Sequence, residues 1–202
     1  MRRLGRWTLL CALALPPAAV GLALGLCDEA QASVSIAVTL DYLVSQSTAA
    51  CVVTPFEART VWENERIYTY SHVHCDTPVG GSLGAGADAW VRTMGGIVGR
   101  VGQVVDGEAS LTLGRPSLLF LRPLPASESP GGFDVAGRAQ GQYAIRLDEK
   151  QKPRLVQSAS AGGVVAPRPG AATPLATDVL HQRPLGDAAR DITAAWGRLH
   201  AH

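Results

Sequence analysis

The chain has almost no charge to spare. Eighteen Lys and Arg stand against seventeen Asp and Glu, a formal net charge of +1. There is no basic stripe, which argues against nucleic acid as a partner, because binding its phosphates needs clustered Lys and Arg. The common catalytic signatures are missing too. No serine sits in a G-x-S-x-G elbow and there is no H-E-x-x-H. Glu57, Glu63, Glu65 and Glu108 are scattered, with no pair placed for acid–base work. The glycines of 95–102 are followed by a short apolar run and Asp106-Gly107, not by the helix and Lys-Ser/Thr of a phosphate loop. They read as a place where a strand bends. No internal repeat is present.

Cysteine is scarce as well, with four in 202 residues. Cys11 and Cys27 fall in a segment that reads as an export signal. Arg2, Arg3 and Arg6 make a positive start, an apolar stretch covers 7–26, and Ala30-Gln31-Ala32 supplies small residues for cleavage. Residues 1–32 are therefore expected to be removed, leaving Ser33 as the mature N-terminus. A lipid anchor on Cys27 is the alternative, although Leu26 before it departs from the usual pattern. About 170 residues remain, enough for one domain with a core. Their cysteines, Cys51 and Cys75, are expected to form a disulfide, as suits an exported protein.

What is plentiful is glycine (22) and proline (13), which suits a turn-rich β protein. Short strands are expected at 33–38, 49–58, 66–76, 89–94, 103–105, 108–113, 117–122, 133–139 and 142–147. A helix capped by Thr39 is expected over 40–47. The pattern predicts a mainly β fold, a small OB-like closed or partly open β-barrel over 33–157. The Ala, Gly and Pro content of 158–184 reads as a linker. A C-terminal amphipathic helix is expected from Leu185, with Leu185, Ala189, Ile192, Trp196 and Leu199 on its apolar face. His200-Ala201-His202 reads as a frayed tail.

Two features carry geometry. If the hairpin of 49–58 and 66–76 turns at Glu63, opposed residue numbers sum to 126, and Cys51 faces Cys75. On the second strand His72 and His74 leave one face, followed by Asp76. That set is a candidate zinc site, on a face shared with Tyr68 and Tyr70.

Several runs resemble a family of uncharacterised exported bacterial proteins, best represented in myxobacteria and their relatives. They are Leu40-Asp41-Tyr42-Leu43-Val44, Cys51-Val52-Val53, Ile67-Tyr68-Thr69-Tyr70, Val91-Arg92-Thr93-Met94-Gly95-Gly96, Leu118-Leu119-Phe120-Leu121 and Ala139-Gln140-Gly141-Gln142-Tyr143. No activity comes with that resemblance. The order helix, strand, long hairpin, strand, glycine bend and buried strand is also similar to the netrin-like, OB-type domain of tissue inhibitors of metalloproteases. Ser33 and Ser35 stand where those inhibitors carry cysteines. The expected function is an exported non-enzymatic β-barrel module, periplasmic, cell-surface or extracellular, that binds a protein or surface component, the protein being a secreted or cell-envelope one. The alternatives are a netrin-like inhibitor of a secreted protease and a zinc-dependent hydrolase using His72 and His74.

Overall fold

A computed structural model describes residues 35–125, 132–162, 164–165 and 174–201. The expected signal segment with Cys27, Ser33, a third of the 158–184 segment and His202 lie outside the described residues.

Strand β1 (Ser35–Ile36) leads into helix α1 (Leu40–Ser45), whose Thr39 hydroxyl accepts from the Tyr42 amide, as the sequence predicts. Strands β2 (Ala49–Glu63) and β3 (Arg66–Gly81) form a long hairpin, and β4 (Asp88–Met94) pairs with β3. A small hairpin, β5 (Gly96–Val98) and β6 (Val101–Gln103), follows. Then come β7 (Ser117–Pro123) and β8 (Gly132–Val135), a 3-10 turn over Arg138–Gly141, and β9 (Gln142–Leu147). Strands β10 (Pro153–Gln157) and β11 (Val164–Val165) and helices α2 (Ala176–Leu180) and α3 (Leu185–Leu199) complete the chain.

The ring order is β2-β3-β4-β8-β7 and back to β2, a closed five-stranded barrel. Counted along the chain that is 1-2-3-5-4, with one parallel pair, β4 with β8. The OB-like barrel expected from the sequence is present. Strand β7 serves two neighbours along one edge. Ser117–Leu119 pair with β9, and Leu121–Pro123 pair with β8. Strands β8 and β9 thus act as one strand interrupted by the 3-10 turn, and β10 extends the sheet past β9.

Alternation along β2 and β7 divides the core in two. Ala49, Cys51, Val53, Leu119 and Leu121 fill the barrel with Val73, Cys75 and Val91. Ala50, Val52, Leu118 and Phe120 point the other way, against Leu43, Leu180 and Ile192 of the three helices. A strand buried on both faces needs a continuous apolar run, which is what Leu118-Leu119-Phe120-Leu121 provides. Tyr143 lies in the helix-side cluster with a buried hydroxyl that has no hydrogen-bond partner among the described residues. An unsatisfied buried hydroxyl costs about 1–3 kcal/mol. Tyr143→Phe is therefore expected to raise stability by about 1 kcal/mol in urea titrations. A loss of similar size would show that the hydroxyl is in use.

The structure corrects several boundaries. Strand β3 runs past the expected end at 76 to Gly81, because Gly80 leaves room for the Trp196 ring of α3 to lie on the strand. Residues 108–113 form no strand. The Ser110 amide donates to Gln142 Oε1, and Gln142 Nε2 donates to the Ser110 carbonyl, so one buried side chain replaces a ladder partner. Gln140 does the same for β1, accepting from the Val38 amide and donating to the Ile36 carbonyl. The described part of the 158–184 segment includes helix α2, with Ala176 and Leu180 buried in the helix-side core. Its apolar side is too short to register as a periodic pattern. Residues 153–157 add a strand that the sequence reading did not propose.

Cys51 and Cys75 form the expected disulfide, with Cα atoms 6.0 Å apart. The expected register does not hold. The turn is at Asn64 and Glu65, both at positive φ, so Glu63 faces Arg66. Register shifts leave Phe56, Asp76 and Val79 without direct partners, so Cys75 faces Val53 and Cys51 faces Pro78. The disulfide joins diagonal neighbours inside the barrel, and bulges make that diagonal close enough.

A candidate interaction face on the barrel

The outer face of β2, β3 and β4 carries a ladder of rings and guanidinium groups. Cross-strand register sets Glu57, His72 and Trp90 in one row, and Arg59, Tyr70 and Arg92 in the next. The His72 ring stacks on Trp90, with centroids 4.4 Å apart and planes 8° from parallel. The bulge residue Phe56 closes on the other side of His72 at 4.4 Å. Arg59 lies over the rings of Trp90, at 4.8 Å, and Tyr70, at 5.6 Å. Arg92 lies over Tyr68 at 4.8 Å. The Tyr70 hydroxyl donates to Glu63 at 2.9 Å. Burial and that carboxylate raise the Tyr70 phenol above its ordinary value, so it remains a donor.

One row continues round the barrel. Arg59 faces Tyr70, Tyr70 faces Arg92, Arg92 faces Asp134, and Asp134 faces Arg122. Each of the five barrel strands gives one residue to this belt. Asp134 takes Arg92 at 3.3 Å and Arg122 at 3.6 Å. Beside it Arg138 donates to Glu108 at 2.9 Å. Burial raises the Glu108 carboxyl above its ordinary value, and Arg138 offsets only part of that.

The three residues read as a possible zinc site have separate engagements. His72 is held in the ring stack, 3.5 Å from Glu57. His74 meets Asp88 at 2.8 Å. Asp76 is a bulge residue whose carboxylate accepts from Thr54 at 2.6 Å. Among the described residues, no group of three or more His, Cys, Asp or Glu could hold a metal ion. The inhibitor reading turns on Ser33, which is outside the described residues.

Sequence reasoning found Tyr68, Tyr70, His72 and His74 on one face. It missed Phe56, Arg59, Trp90, Arg92 and Arg122 as their companions. Alternation along one strand identifies a face, but the companions follow from register, which bulges had moved. Among the described residues no helix is long and apolar enough to cross a membrane. The chain matches no protein-family model and no curated protein.

Proposed function

We propose that the chain is an exported, non-enzymatic binding module that docks a protein partner on the outer face of β2, β3 and β4. The observation that carries this reading is the Phe56–His72–Trp90–Arg59 stack. Trp, Tyr and Arg dominate the binding energy of protein interfaces. Side chains already held against one another lose little freedom on binding, which lowers the cost of association. Phe56 and Trp62 on β2 are more than half exposed, so their rings are available to a partner. The disulfide supports export, since such bonds persist in oxidising compartments.

The test is a quantitative pull-down from the cell-envelope protein fraction, comparing the wild type with Phe56→Ala and Arg59→Ala. Both side chains belong to exposed positions of β2, so the fold should survive. A partner retained by the wild type is expected to fall about tenfold or more with either variant, the loss of one interface anchor. Equal retention by all three proteins removes this face from consideration.

A further inference from the structure

A cavity of about 400 Å³ lies between the β1–β11 pair, the end of β10, a 3-10 turn at Ala159–Ala161 and the start of α2. Tyr143 of β9 lines it. We propose that this cavity binds a small uncharged molecule with an apolar body and one acceptor oxygen, which takes a hydrogen bond from the Tyr143 hydroxyl. The site is separate from the ring ladder and does not depend on the docking reading above.

The walls define the body of the ligand. Ala37, Ala161, Gly162, Val164 and Leu175 give the cavity small apolar surfaces, and no charged side chain lines it among the described residues. Its volume falls within the range of small-molecule sites, about 300–1,000 Å³. The polar groups define the anchor. Gln140 is engaged at both ends, its Oε1 accepting from the Val38 amide and its Nε2 donating to the Ile36 carbonyl. Thr177 donates its hydroxyl to Gln157 Oε1. Tyr143 differs from both. It is fully buried, and its hydroxyl has no partner. Phenylalanine would fill the same space without stranding a donor, so in the empty protein the hydroxyl contributes nothing to the fold.

Electrostatics select a neutral acceptor. Burial, and after it the Asp178 carboxylate, push the Tyr143 phenol well above its ordinary value. The phenol therefore stays protonated and offers a donor. The same burial and the same carboxylate oppose an anion beside it, which leaves a carbonyl, ether or hydroxyl oxygen as the group received. The hydroxyl is closed to water in the empty cavity. An acceptor reaches it by pressing aside part of the wall, and then meets no competition from solvent.

The experiment titrates the exported protein with three compounds of similar shape, followed by amide chemical shifts in nuclear magnetic resonance. Acetophenone carries a neutral acceptor, ethylbenzene carries none, and benzoate carries a charged one. Acetophenone is expected to bind and to shift the amides of Ala161, Gly162 and Thr177. Ethylbenzene should bind about fivefold more weakly, the difference of one hydrogen bond, and benzoate should not bind at neutral pH. Tyr143→Phe should weaken acetophenone about fivefold and leave ethylbenzene unchanged, a split that a merely structural role for the phenol would not produce. Its unfolding midpoint, expected to rise, shows that the loss is not misfolding. Ala159→Trp, at an exposed position of the lining, should abolish binding of both compounds by filling the entrance, and it remains informative if Tyr143→Phe misfolds. No binding of acetophenone overturns the proposal. So does acetophenone binding that is indifferent to Tyr143→Phe or to Ala159→Trp. Benzoate binding more tightly than acetophenone overturns the assignment to an uncharged ligand.

Discussion

Replacing Cys51 and Cys75 together by alanine is expected to lower stability by about 3–4 kcal/mol and the melting temperature by roughly 10 °C. The bridge closes a segment with a sequence separation of 24. In the chain-entropy treatment, that closure removes freedom from the unfolded chain in proportion to the logarithm of loop length. The setting adds to the effect. Both sulfurs lie in the barrel interior with Val53, Val73, Val91, Leu119 and Leu121, and alanine leaves unfilled volume there. The bridge also pins β2 to β3 beside three register shifts, where a ladder is weakest. Calorimetry of the oxidised protein and the double variant measures this. A melting point within about 2 °C of the wild type would mean that the bulged hairpin holds its register unaided.

Ile192→Ala is expected to cost about 2–5 kcal/mol, as large as a substitution in the barrel itself. Ile192 is fully buried, and with Ala188 and Ala195 it forms the face of α3 that covers Phe120, Leu43 and Leu180. The helix is held at its sides as well. Thr193 donates to the Val79 carbonyl at 2.9 Å, and Trp196 lies on Gly80. Arg198 reaches Asp41 of α1 at 3.0 Å. Arg190→Ala is the control, since it pairs with Asp187 on the helix surface, and such pairs are worth a few tenths of a kcal/mol. Urea titration separates the two. Equal midpoints would mean that α3 is an appendage, not the lid of the second core.

Much of this molecule was open to a reader of the sequence. The order of strands, the Thr39 cap and the C-terminal helix follow from local rules of periodicity and hydrogen bonding. The amphipathic face of α3 is an example, because Ile192 recurs with its neighbours at helical spacing. The disulfide also follows, from two cysteines in consecutive strands of a chain read as exported. Fold class is legible for the same reason: each element announces itself within a window of about ten residues.

The interaction face is different. Trp90 has nothing in its own strand to mark it, and Arg122 ends an otherwise apolar run. They acquire meaning only from what lies across from them. That depends on bulges at Phe56, Asp76 and Val79, on a strand shared between two neighbours, and on a parallel closure between β4 and β8. The same holds for Gln140 and Gln142, whose amides stand in for strand partners far away in the chain.

The sequence by itself determined most of the barrel strands, the first and last helices, that the chain closes into a barrel, and that Cys51 and Cys75 join. Tertiary structure alone decided the register, and with it the diagonal disulfide and the ring stack. The physical reason is that side-chain periodicity is a local property. A one-residue bulge exchanges cross-strand neighbours without leaving a mark in the local pattern of side chains, and packing of the whole barrel selects where the bulges fall.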